Sequence, residues 1–242
     1  MANISRSART FIFFIIACGL TVLIYAALHI QTPHQARFLT LLAVAAISSR
    51  FKLKLPGLNG SMSVNLPFVL IAVAQFSLFE ALVIALASTI VQCLSKDYNA
   101  LKIVQTLFNS STMAVAAGLA GSVFQGRTPL PSASISGSVF LALAGTTFFL
   151  VQTLPVATII SLTEGKAILT VWSGIVHLSF PYYVLSAGVA SVATTASHFL
   201  GWQVPLVLMP VMCGVYRSYQ VYFAGTGNAV RPSSLAKAAT AS

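Results

Sequence analysis

Apolar runs broken by short polar or Gly- and Pro-bearing stretches recur along the whole chain. An apolar helix of about 20 residues matches a hydrocarbon core of about 30 Å. On that ruler the runs predict membrane helices at 11–30, 38–50, 63–78, 79–95, 103–124, 136–161, 179–198 and 202–222. The second and third are short, and Arg50, Lys52, Lys54, Pro56, Gly57 and Gly60 lie between them. Non-helical backbone at membrane depth survives only where protein shelters it, so either short span reads as a tilted, broken or re-entrant helix buried among its neighbours. The fold class is all-α: a polytopic transmembrane bundle of about 8 spans, within a range of 6–8. Residues 11–223 form its single integral-membrane domain and 1–10 a cytoplasmic N-terminus. Residues 224–242, rich in Gly, Ala, Ser and Thr, offer no apolar periodicity to bury and are predicted to be disordered.

Local signals place individual boundaries. Ser77 and Glu80 form an S-x-x-E capping box ahead of the fourth span, with Glu80 favourably set against the positive end of the helix dipole. Pro129 and Pro131 mark a loop, whereas Pro155, Pro181, Pro205 and Pro210 fall inside or beside later spans, where each removes an amide donor. Small residues at four-residue spacing, Ala114, Gly118 and Ser122 and again Ala187, Ser191 and Thr195, predict seams of close helix packing. Arg6 and Arg9 ahead of an apolar run resemble a signal peptide, and Ile15 to Cys18 loosely resemble a lipoprotein cleavage box. The run continues unbroken to Ile30, so the first span is read as an uncleaved anchor.

Composition narrows the class. Of 242 residues, 57% are apolar and 7% charged, against about 45–50% and about 25% in soluble domains. A soluble globule and a disordered chain are both excluded. The net charge of +10 comes from 13 Lys and Arg against Glu80, Asp97 and Glu164. The cations stand singly between apolar runs rather than on one solvated face, which argues against nucleic acid as a partner. Threading from a cytoplasmic N-terminus puts Arg6, Arg9, Arg50, Lys52, Lys54, Lys96, Lys102, Lys166, Arg217, Arg231 and Lys237 on the cytoplasmic side. Only Arg37 and Arg127 fall opposite. This segregation follows the positive-inside rule and predicts both termini in the cytoplasm, with the lipid bilayer as the first partner.

Candidate chemistry is sparse. Cys18, Cys93 and Cys213 each sit in an apolar span without ligand spacing and read as small packing residues. No phosphate-cradling glycine loop, HExxH pair or GxSxG elbow occurs, three acids cannot supply a carboxylate cluster, and no cofactor is implied, so the chain is read as a non-enzyme. His29, His34, His198 and Glu80 all fall on the outer face of the threading and form a candidate metal or pH-sensing set. As scattered interfacial polar groups they need no ligand. Uncharged polar residues at membrane depth need partners or a cavity. Asn109, Tyr182, Tyr183, Gln105 and Gln152 are the candidate ligand-binding set, with interhelical hydrogen bonding as the competing role.

Two segments carry a resemblance: LPGLNGSMSVNLPFVLIAVAQFSLFEALVIALASTIVQ from Leu55, and HLSFPYYVLSAGVAS with GWQVPLVLMPVMCGVYRSYQVYF from His177 and Gly201. They resemble the N-terminal membrane module that precedes cytoplasmic HD-GYP or GGDEF signalling domains in some bacteria, notably acidobacterial ones. The likeness covers most of residues 40 to 223. In those proteins the final helix runs on, charged, into the catalytic domain. Here AGTGNAVRPSSLAKAATAS follows Phe223. The resemblance implies a sensory input module without its own output domain, acting on a separate cytoplasmic signalling protein. A weaker likeness is to the substrate-binding membrane component of energy-coupling-factor transporters, which would imply a coupling subunit as partner.

Overall fold

The computed structural model describes residues 5–30, 35–54, 61–94, 100–125 and 137–239, with backbone alone at 53–54, 61–63, 100–101, 198 and 223–239. Among the described residues the chain forms eight α-helices and one short antiparallel ladder. The helices are α1 (Arg6–Leu28), α2 (Gln35–Ser48), α3 (Leu66–Gln75), α4 (Leu78–Cys93), α5 (Ala100–Phe124), α6 (Gly137–Glu164), α7 (Ile168–Leu200) and α8 (Val204–Ala239). Strands β1 (Lys52–Lys54) and β2 (Ser61–Ser63) pair with Lys52 opposite Ser63. They occupy the stretch predicted to break the helical pattern. Pro56, Gly57 and Gly60 lie outside the described residues.

Four segments are long and apolar enough to cross a membrane: Arg6–Leu28, Lys102–Phe124, Gly137–Glu164 and Ile168–Ser197. The helices α2, α3 and α4 are shorter. At a rise of about 1.5 Å per residue α3 extends only about 15 Å, half a hydrocarbon core. Its sequence LPFVLIAVAQ is apolar all round, the mark of a helix enclosed on every side. Leu66 through Val73 are indeed all buried. Two extended residues, Phe76 and Ser77, then reverse the chain into α4 through the expected capping box, in which the Ser77 amide donates to Glu80 Oε2 at 3.0 Å. The Ser77 hydroxyl also donates to Oε2, at 2.7 Å.

Two boundaries differ most from expectation. Helix α7 begins at Ile168, not 179, because Trp172, Gly174 and His177 interrupt apolarity without interrupting backbone hydrogen bonding. Helix α8 extends to Ala239, through residues whose composition predicts disorder. Extending an existing helix needs no new nucleus, and alanine is the best helix former. Gly165, at φ +68°, ends α6 in the left-handed region, with its amide donating to the Ser161 carbonyl at 2.9 Å.

Helices alternate in direction. Phe38 lies against Phe76, with ring centroids 6.5 Å apart, and a Cβ on Gly121 would meet the Leu78 side chain. These contacts lie at one end. At the other, the Arg50 guanidinium donates to the Val91 carbonyl at 3.5 Å, at the end of α4. There Phe51 also packs 5.4 Å from Tyr216. Parallel helices α1 and α5 approach closely: a Cβ on Gly19 would stand 2.6 Å from Ser111 Cα. One on Gly118 would stand 2.8 Å from Val22 Cγ1. Four buried hydroxyls are satisfied within their own helices: Thr112, Thr153, Ser179 and Ser186 each donate to the carbonyl four residues back.

Candidate functional site

The centre of α7 faces two ways. Pro181 removes one amide donor there, and Tyr182 and Tyr183 follow on adjoining faces. Tyr182, 2% exposed, points into the core. Its hydroxyl hydrogen-bonds the Ser186 side chain and the Leu66 backbone, at the first residue of α3. Its ring lies 6.1 Å from Tyr219 of α8, edge-on at 86°. Tyr183 turns to α6, 4.8 Å from Phe149 and 6.5 Å from Phe148. One pair of adjacent tyrosines thus touches α3, α6 and α8.

Between α6 and α7 runs a groove of about 320 Å³. Its floor is the contact of Gly145 with Ala187, where an added Cβ would stand 3.3 Å from the alanine methyl. Phe149, Phe180 and Tyr183 close one end, and Ser138 and Ser191 the other, with the Ser191 hydroxyl donating to Ser138 Oγ at 3.3 Å. Gly188 opens onto empty space, and Phe180 and Val184 are exposed along the rim.

Of the predicted ligand set, the structure brings Tyr182 and Tyr183 together, and Tyr183 lines this groove. Gln152 follows one turn after Phe148 and Phe149 on α6, half-buried, its Oε1 enclosed without a hydrogen-bond partner. Asn109 and Gln105 lie apart on α5. Asn109 Nδ2 faces the Cys93 sulfur at 4.0 Å, and Gln105 is exposed. The α6 wall of the groove was not foreseen. Its signal is the spacing of Ser138, Ala142, Gly145 and Thr146, which the sequence offers only as small residues along one helix.

Of the predicted metal set, His29 ends α1. Its Nδ1 stands 2.9 Å from the Tyr25 carbonyl. Glu80, 6% exposed, turns Oε2 to Ser77, while Oε1 is enclosed without a partner, as is Gln75 Nε2 on the same turn. His34 and the side chain of His198 lie outside the described residues. Among the described residues no three His, Cys, Asp or Glu side chains gather as a metal site.

The cations have a common placement. Arg6 and Arg9 open α1, Arg50 and Lys52 follow α2, Lys102 opens α5, Lys166 follows α6, and Arg217 follows Tyr216 of α8, which packs on Phe51. With the helices alternating, all of these fall at one end, and Arg37, beside Gly201, falls at the other. The Lys166 ammonium is paired with Glu164 at 2.6 Å.

No curated protein and no solved structure matches the chain. A family profile does, over residues 11–223, from within α1 to the last described side chains of α8. An apolar helical bundle with most of its described cations at one end suits a membrane-associated domain, and by that match the chain belongs to the MASE9 family of membrane-associated sensory domains.

Proposed function

We propose that this chain is the input module of a bacterial signalling system, a multi-pass protein of the cytoplasmic membrane with all eight helices threaded in alternation. The segregation of cations supports both termini in the cytoplasm. A membrane sensory family suggests a non-catalytic role. The module binds its stimulus within the bundle and acts through α8 on a cytoplasmic enzyme of the HD-GYP or GGDEF type.

One observation carries this reading. Helix α8 is held to the interior at two points one turn apart: Tyr216 by Phe51 of the hairpin, and Tyr219 by Tyr182 of α7. Both holding residues connect to the start of α3. Phe51 does so through the hairpin, where its carbonyl accepts from the Val64 amide at 3.3 Å, and Tyr182 through its hydroxyl. A stimulus that favours one packing of α3 and α7 over another therefore biases the helix leading to the cytoplasm.

A fusion of a GGDEF domain behind Ala239 tests this. Tyr182→Ala and Phe51→Ala should each change cyclic-dinucleotide output, while lipid-facing Val192→Ala should not. If both variants give the output of the parent fusion, α8 is not the conduit. Reporters joined before Arg6 and after Ala239 should read the same side of the membrane.

A further inference from the structure

The groove between α6 and α7 has a shape, a polarity gradient and an opening that together select one class of occupant. We propose that it binds a single-chain amphiphile, a long-chain fatty acid, taken laterally from the outer leaflet. The proposal rests on the input-module reading and its threading, and it names the stimulus for that site.

Length comes first. From Ser138 to Phe149 the α6 wall extends about 16 Å at the helical rise, close to the roughly 15 Å of one leaflet's hydrocarbon. Volume comes second. About 320 Å³ lies at the low end of small-molecule sites, about 300–1,000 Å³. That suits one chain rather than the two of a phospholipid. Polarity comes third. The lining is mostly apolar, with the Ser138 and Ser191 hydroxyls at one end and aromatic rings at the other. Ser138 stands in the first turn of α6, at the positive end of the helix dipole, which complements a carboxylate head. The rim along Val184 and Gly188 is exposed, so entry is from the side.

The buried end explains why such a ligand would be sensed. A chain filling the groove meets Phe149, Phe180 and Tyr183, and Tyr183 stands 6.3 Å from Tyr182. From there the path is the one described above, to Leu66 and Tyr219. Pro181, between Phe180 and Tyr182, leaves the His177 carbonyl without its helical donor, so α7 can yield at this level.

The test uses the full chain in phosphatidylcholine nanodiscs with a photoactivatable hexadecanoic acid. Labelling should map to α6 and α7, and unlabelled hexadecanoic acid should compete for it. The methyl ester, which lacks the anionic head, should compete about tenfold less well. Gly188→Leu fills the open space and should lower labelling about tenfold, as should Ala142→Leu from the α6 wall. Gly174→Leu, which also meets nothing but lies outside the groove, should leave labelling unchanged. Thermal unfolding of each variant separates occlusion from misfolding. Labelling spread over all lipid-facing helices, no competition, or full labelling of folded Gly188→Leu overturns the proposal. So does a dimer in native mass spectrometry whose interface closes the groove. If Tyr182→Ala uncouples the fusion yet no acid binds, the ligand class fails alone. If the acid binds and neither Tyr182→Ala nor Phe51→Ala alters output, the input-module reading fails alone.

Discussion

The α1–α5 seam permits a graded test in which three substitutions share one favourable term and differ in one unfavourable term. Replacing a helical glycine by alanine gains about 1 kcal/mol in helix propensity wherever it is made. At Gly19 the new methyl would lie 2.6 Å from Ser111 Cα and 3.0 Å from its carbonyl oxygen. Those atoms are backbone, so the helices themselves must separate. Overpacking of this kind costs about 1–3 kcal/mol, and because no side chain can rotate away we expect the upper half of that range. The net is a loss of about 1–2 kcal/mol. At Gly118 the methyl meets Val22 Cγ1 at 2.8 Å, the end of a side chain that can give way, and the two terms should nearly cancel. At Gly174 nothing lies within 4 Å, and the propensity gain stands alone. Equilibrium unfolding of the full chain in mixed micelles, followed by circular dichroism, should rank Gly174→Ala above Gly118→Ala above Gly19→Ala. The outer pair should differ by about 2 kcal/mol or more. Equal stability of Gly19→Ala and Gly174→Ala would refute the close approach of α1 to α5.

Two further outcomes are expected in the same assay. Ser77→Ala removes the one hydroxyl that both accepts from the Glu80 amide and donates to its carboxylate, and should cost about 1 kcal/mol; an unaltered midpoint would mean that the cap is dispensable. Tyr182→Phe deletes the hydroxyl held by Ser186 and the Leu66 backbone and should cost about 1–3 kcal/mol. Tyr183→Phe should stay within about 0.5 kcal/mol, and reversal of that order would count against the inward placement of Tyr182.

What the sequence determined by itself is what one-dimensional patterns encode. Apolar run length marks the helices, Ser77 and Glu80 mark the start of α4, and the charge distribution marks the basic end. Each follows from a residue's own chemistry and near neighbours. Polar residues at membrane depth singled out Tyr182 and Tyr183, but equally Asn109 and Gln105, because depth along a helix says nothing about which way the helix is turned. Tertiary structure alone decided that rotation. It turned Tyr183 to Phe149 and left Gln105 exposed. It enclosed all of Leu66 through Val73, where an evenly apolar sequence has no face to choose, and it brought Gly19 to Ser111 across most of a hundred residues. The groove belongs to the same class. Gly145 and Gly188 are just two small residues until α6 and α7 are set side by side, because a cavity is a property of the gap between helices, not of either helix.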